Sequence, residues 1–244
     1  MSINLRHKEI LDILEENGSV SIKILTKRLY VSEATVRRDL AELERSGSLK
    51  RTHGGAQSIL ETNRQIPLSI REELDADAKN QICRRAAELV KEGATVFIDG
   101  SSTAQHIIKY LSGIKDITVV TYSIRAAEMA LREHIRTYCA GGLLIENSLV
   151  CTGQKTVDFA ESINADICFI SCKGMDSRGR FTDTSEEETA IRRAFMQNSK
   201  VKALLMTKNK FDTTYTHTLC RANEIDYLFS DGDIPDKIKE KIKK

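Results

Sequence analysis

Between residues 76 and 229 short apolar runs alternate with longer helix-like segments, and this alternation limits the fold more than any other feature of the chain. Ala94–Ile98, Ile117–Thr121, Arg136–Ala140, Asp166–Ser171, Val201–Met206 and Ile225–Phe229 read as strands. Ala78–Lys91, a segment opening at Asp99–Thr103 and running to Leu111, Ile124–Glu133, Lys155–Ile163 and Glu187–Gln197 read as the helices between them. A hairpin joins antiparallel strands, whereas a helix-long crossover brings the chain back parallel. The pattern predicts an α/β fold with a mostly parallel sheet covered by helices.

The first 57 residues are patterned differently. Ile10, Ile13 and Leu14 mark one helix, closed by Asn17-Gly18, and Ile24, Leu25 and Leu29 mark a second that Ser21 can cap. Tyr30-Val31 is a tight connection into Ser32-Glu33-Ala34-Thr35-Val36-Arg37-Arg38-Asp39-Leu40. There Ser32 is a good N-cap for the N–H of Thr35, and Val36, Leu40 and Leu43 form one apolar stripe. At about 100° per residue, Ala34, Arg38, Ala41 and Arg45 fall on the opposite side, flanked by Thr35 and Arg37. Small residues let such a face enter a groove closely, and guanidinium forks suit guanine edges or phosphates. Ser46-Gly47 ends the helix, and Leu49–Thr52 followed by His53-Gly54-Gly55 reads as a basic wing. Helix, short helix, tight turn and basic third helix is the helix-turn-helix order. His53 reads as a wing or packing residue, since no Cys or His partner stands at ligand spacing.

Residues 58–75 are polar and hold Asn63, Pro67 and Arg71-Glu72-Glu73, which suggests a connector. The expected organisation is a small DNA-binding domain over 1–57, a linker over 58–75 and a larger α/β domain over 76–244. A chain of 244 residues has length for both domains. The net charge is only +2, with ten Lys and Arg facing eight Asp and Glu in residues 1–58 and the remainder balanced. DNA affinity must therefore come from where the charges lie. The six cysteines are scattered without a CxxC pair and read as buried thiols of a reducing cytoplasm. The start MSINLRHKEI lacks an apolar signal core, no apolar run reaches membrane length, and no cofactor or metal is implied.

Three strand exits are equipped for an anion. Asp99-Gly100-Ser101-Ser102-Thr103 offers hydroxyls and backbone N–H groups at a helix start. Ala140-Gly141-Gly142 lets backbone approach a ligand, and Lys173 follows the strand ending at Ser171. Singly, each also reads as an ordinary turn or a solvated lysine. At corresponding strand ends the three together point to one binding site.

Arg6, Ser32–Leu40 and the wing Arg51-Thr52-His53-Gly54-Gly55-Ala56 resemble the DNA-binding domain of DeoR-type bacterial transcriptional regulators. By that resemblance Thr35, Arg37 and Arg38 contact double-stranded DNA, with Ser32, Arg45, Arg51 and His53 in support. Asp99–Thr103, Val119-Val120-Thr121, Gly141-Gly142, Gly153, Lys173-Gly174, Glu187-Glu188 and Lys210-Phe211 likewise resemble the family's effector domain, which is related to sugar-phosphate isomerases and CoA transferases. The resemblance implies a phosphorylated sugar or similar metabolite, its phosphate at Ser101–Thr103 beside Gly100 and Thr121. It also implies polar contacts to the rest of the ligand from Asp99, Lys173, Glu188 and Lys210. Four positions depart from the family pattern: Tyr122 for Asn, Ser171 for Gly, Arg192 for Lys and Thr207 for Asp. With Lys208 beside Thr207, they suggest a ligand more anionic than a sugar monophosphate, or a degenerate site.

The expected function is a homo-oligomeric repressor of carbohydrate genes, relieved by that effector. The alternative is a sugar-phosphate isomerase with an appended DNA-binding domain. Isomerisation needs a carboxylate base, and Asp99, Asp176, Asp183 and Glu188 are available. His106, inside a helix, and His217, in a polar turn-like stretch, do not stand out as partners.

Overall fold

The structure is a computed structural model and describes residues 3–17, 19–52, 54–58 and 68–243. The chain divides into two compact units, Met1–Leu74 and Asp75–Lys244.

The first unit runs α1 (Ile3–Asn17), β1 (Ser19–Ser21), α2 (Ile22–Leu29), α3 (Glu33–Arg45), β2 (Leu49–Thr52), β3 (Gly55–Ser58) and α4 (Leu68–Glu73). Local chemistry sets the helix starts. Ser21 Oγ accepts from Ile24 N at 3.3 Å, and Ser32 Oγ accepts from Thr35 N at 3.2 Å. The turn between α2 and α3 is made by Tyr30 in the left-handed region, at φ 52°. Val36, Leu40 and Leu43 pack with Ile10, Ile13, Leu14, Leu25 and Leu29 in one core. Each such side chain contributes about 1.5–3 kcal/mol by leaving water. The wing is a β2–β3 hairpin, and β1 pairs with β3 to extend it to three antiparallel strands. Helix α4 lies in the span read as a connector: its Leu68 is buried, and Leu74 just beyond it packs on the core of this unit. Pro67 and His53 lie outside the described residues.

The second unit continues with α5 (Ala76–Ala87), β4 (Thr95–Ile98), a 3-10 helix (Ala104–Tyr110), β5 (Thr118–Thr121), α6 (Ile124–Arg132), β6 (Arg136–Cys139), β7 (Leu143–Ile145) and β8 (Val150–Thr152). It ends with α7 (Gln154–Glu161), β9 (Ala165–Ile170), β10 (Gly174–Met175), β11 (Arg180–Asp183), α8 (Glu186–Gln197), β12 (Ser199–Leu205), β13 (His217–Arg221), β14 (Tyr227–Phe229) and α9 (Asp236–Lys239). Six strands form one parallel sheet in the order β14-β12-β9-β4-β5-β6. Alternation along β4 shows how both faces are used. Val96 and Ile98 join the core under α5 and α6, while Phe97 joins the core under α7 and α8 and stacks on Phe195 at 4.1 Å. A sheet covered on both faces is the usual setting of parallel strands.

Three features differ from the sequence reading. The segment after Thr103, expected as a helix, is a 3-10 helix. A second, antiparallel sheet β10-β11-β13 and a β7–β8 hairpin accompany the parallel one. His217 is a strand residue of that second sheet, paired opposite Asp183. These strands are short; β7–β8 and β10–β11 pair locally, whereas β11 and β13 are far apart in sequence.

From β4 the chain moves outward through β5 and β6, whereas β9, β12 and β14 lie on its other side. The order therefore reverses between β4 and β9. The crevice at the carboxyl ends of strands flanking such a reversal is where open α/β sheets hold ligands.

Candidate functional site

On α3 the apolar stripe is buried, and Ser32, Ala34, Arg37, Arg38 and Arg45 are exposed, with Thr35 partly so. The structure sorts the basic residues of this face and the wing by their partners. Arg37 reaches back one turn to Glu33 at 3.4 Å, and Arg51 on β2 meets Glu44 at 2.6 Å. Among the described residues, Arg38 and Arg45 have no ion-pair partner, and the full charge of each is available to a phosphate or a base edge. Beneath this face lies Asp39, whose side chain is 1 % exposed and takes a fork from Arg6 on α1: Nε to Oδ2 at 2.8 Å and Nη2 to Oδ1 at 3.0 Å. The hydrogen bond to Asp39 raises the Arg6 pKa above its usual value.

In the second unit, Asp99, Gly100 and Ser101–Thr103 leave β4 and are buried. Asp99 bridges the switch point: Oδ1 accepts from Ser101 N at 2.9 Å, and Oδ2 accepts from Ser171 N, at the exit of β9, at 2.8 Å. Oδ2 also accepts from Arg192 Nε at 2.9 Å. The same guanidinium donates from Nη1 to Asp183 and from Nη2 to Glu188, at 2.9 and 2.8 Å. Arg192 is 4 % exposed and joins three carboxylates from β4, β11 and α8. Burial opposes its charge, but Tyr122 and these carboxylates outweigh burial and raise its pKa. Burial would also raise the Asp183 carboxyl, yet Arg192, Lys173 and the amides of Thr184 and Ser185 hold it below the usual range.

The other expected residues cluster at the same end of the sheet. Lys173 donates to Thr184 Oγ1 at 2.7 Å, and Lys210 donates to Ser171 Oγ at 3.1 Å and Cys172 O at 2.8 Å. Thr121 Oγ1 accepts from Ser123 N, and Gly141 O accepts from Thr156 Oγ1 at 2.8 Å. Gly142, at φ 154°, has Thr156 Oγ1 and Thr152 O where a Cβ would stand, so only glycine fits. At Gly100 a Cβ would strike Val150 and the Tyr122 ring. Tyr122 is fully buried against Phe195, with its hydroxyl 3.5 Å from Glu188 Oε2. It fills the space between the β4 exit and α8.

Two of the expected hydroxyls differ in what they can offer. Ser101 Oγ is spent on Ala104 N at 3.0 Å, whereas the Thr103 hydroxyl is buried without a hydrogen-bond partner among the described residues. Ser102 Oγ accepts from Lys79 Nζ at 3.2 Å. Lys79, 4 % exposed on α5, is a residue the sequence reading did not select. Its signal was available, because it continues the apolar stripe of Ile82, Cys83 and Ala86, where a lysine is out of place. Arg192 and Asp183 carried no comparable signal as partners of Asp99. A separate open groove of about 570 Å³ lies beside β4–β6 and α7, with Arg136 as its one charged lining residue. It includes none of the expected site residues.

A helix-turn-helix with an exposed basic face in one unit and a polar strand-end cluster in the other fit a DNA-binding regulator with a sensor domain. Residues 6–62 match the DeoR-like helix-turn-helix domain and residues 74–232 match the DeoR C terminal sensor domain, so the chain belongs to the DeoR family of transcriptional regulators. It is 31% identical to the HTH-type transcriptional regulator GolR of Listeria innocua, over 94% of this chain and 91% of that one. Identity is 33% with the HTH-type transcriptional repressor GlcR of Bacillus subtilis, covering 91% and 86%. It is 28% with the glycerol-3-phosphate regulon repressor of Escherichia coli, covering 94% and 91%.

Proposed function

We propose that this regulator is a cytoplasmic homo-oligomer that represses carbohydrate-metabolism genes and releases its operator when a phosphorylated sugar or similar anionic metabolite binds the sensor domain. The observation that carries the effector reading is the buried Lys79 ammonium on Ser102, next to Thr103, whose hydroxyl has no hydrogen-bond partner among the described residues, at the exit of the central strand β4. A phosphate there meets a cation, two hydroxyls and the backbone of a tight loop. Gly141, Gly142, Lys173, Glu188 and Lys210 would flank the rest of the ligand. Asp99 acts by bracing this loop, since both its oxygens are already engaged. The names of the relatives, two of them repressors and one of a phosphometabolite regulon, agree with this reading.

Thr35, Arg37, Arg38 and Arg45 would read the major groove, and Ser32, Arg51 and the wing would fix the approach. Reading two half-sites requires a symmetric oligomer. The effector acts only through different affinities for the DNA-competent and incompetent states. Catalysis is disfavoured because Asp99, Asp183 and Glu188 share one guanidinium and Asp183 is held below the ordinary carboxylate range, whereas a general base works best near the operating pH.

The test is thermal shift and operator release with pentose, hexose and glycerol phosphates at millimolar concentration. A ligand at a hundred times its Kd stabilises by about 2.7 kcal/mol. Ser102→Glu is expected to abolish both responses while DNA binding persists. A Ser102→Glu protein still released by the same compound refutes the phosphate site, and turnover of any compound in the panel favours the isomerase.

A further inference from the structure

We infer that Arg6 and Asp39 are positioning residues for operator reading: their fork sets the rotation at which α3 presents Thr35 and Arg38. The inference rests on α3 being the reading helix.

Asp39 is an odd residue for its place. It lies between exposed Arg38 and buried Leu40, and a carboxylate this deep is tolerated only when it is paired and hydrogen-bonded. Arg6 supplies both through two parallel bonds to the two oxygens, which fixes orientation as well as distance. His7, the next residue of α1 and also buried, brings Nε2 to 3.5 Å from Oδ1. At the far end of α3, Glu44 accepts from Arg51 N and Nε on β2, at 3.0 and 2.6 Å. Around Asp39 the remaining contact of α3 is made by Val36, Leu40 and Leu43 packing against other aliphatic side chains. Such packing is not directional, so it holds a helix down without fixing its rotation closely.

Rotation matters at this position. Thr35 precedes Asp39 by one turn on the same side, and Arg38 is its chain neighbour. At the outer radius of a helix, about 5–6 Å, a turn of about 10° moves a side-chain tip by about 1 Å. Productive contacts tolerate about 0.5 Å. Loss of the fork therefore costs base reading more than phosphate attraction, which depends on charge and survives small displacements.

The experiment compares full-length wild type, Arg6→Lys, Asp39→Asn and Arg38→Ala. Each is titrated against a duplex from upstream of the chain's own gene and against a scrambled duplex of equal length, with melting followed by circular dichroism. Arg6→Lys keeps the charge and loses the fork, and it carries the test if Asp39→Asn does not fold. Arg6→Lys should lower affinity for the upstream duplex at least tenfold, change affinity for scrambled DNA by less than twofold and stay folded. A merely structural role would lower both affinities together, and that result overturns the inference. So does unchanged discrimination by Arg6→Lys when Arg38→Ala loses it. If Arg38→Ala itself discriminates as wild type does, the assignment of α3 falls, and this inference with it.

Discussion

Arg38 and Arg45 of the first unit and Arg192 of the second stand in opposite situations. On α3, Arg38 and Arg45 are exposed and their charge is unspent among the described residues, whereas in the sensor unit Arg192 is buried and shared among Asp99, Asp183 and Glu188. A surface that must recognise a polyanion keeps its cations in water, where they cost little and act through the phosphate field. The strand-end cluster spends the Arg192 charge internally, on carboxylates from the β4 exit, β11 and α8. Mutating Arg38 should accordingly cost binding, and mutating Arg192 should cost stability.

The largest expected effect is at Arg192. Arg192→Met leaves three carboxylates facing one another in the interior, and breaking a buried ion cluster from one side costs about 3–5 kcal/mol. Denaturant unfolding of the full chain should show the sensor unit melting early; a change below about 1 kcal/mol would dissolve the contrast between the units. The same cluster sets an acid limit. Because the folded Asp183 pKa lies below its ordinary 3.8, its contribution is fully present above that pH and fades as pH falls through the lower folded value. Asp183→Asn should remove this part of the acid slope, measured as melting temperature between pH 5 and roughly pH 2.

Arg38→Ala reverses the pattern. It is expected to leave stability within about 0.5 kcal/mol and to cost about 1–3 kcal/mol of operator binding. Ser32→Ala removes the cap on Thr35 N and should cost about 1 kcal/mol of stability in the first unit, seen as earlier melting of its helices. Smallest is the exposed Arg37–Glu33 pair: Glu33→Gln should change stability by about 0.3–0.5 kcal/mol or less. Because it frees Arg37, DNA affinity should rise or stay level. A fall would mean that Glu33 orients Arg37 for reading.

How much of this was legible follows the range of the interactions. The Ser32 cap and the Val36–Leu40–Leu43 stripe are local, within one or two helical turns, and periodicity exposes them. The central parallel strands β4, β5 and β9 were legible for the same reason, as apolar runs between helices. Arg192 and Asp99 stand 93 residues apart, and no local pattern announces that pairing. Read singly, Asp99 and Glu188 offer carboxylates to a ligand, and the fold pairs each of them with Arg192. The Tyr122 departure also gains a physical sense, since its ring and Val150 together pack into the space that glycine at position 100 leaves open. Lys79 was legible in principle, as a lysine on an apolar stripe. The short strands β7, β8, β10 and β11 carry too few residues to show a period.

The most direct test is an anisotropy titration of wild type and Arg38→Ala with DNA from upstream of the chain's own gene and with a scrambled control, at two salt concentrations, with and without the sugar phosphate that stabilises the protein. Wild type should bind the upstream DNA preferentially, lose affinity as salt rises and be released by the sugar phosphate, whereas Arg38→Ala should lose the preference. Equal binding to both duplexes by wild type, or binding to operator that no phosphorylated metabolite weakens, would contradict the account.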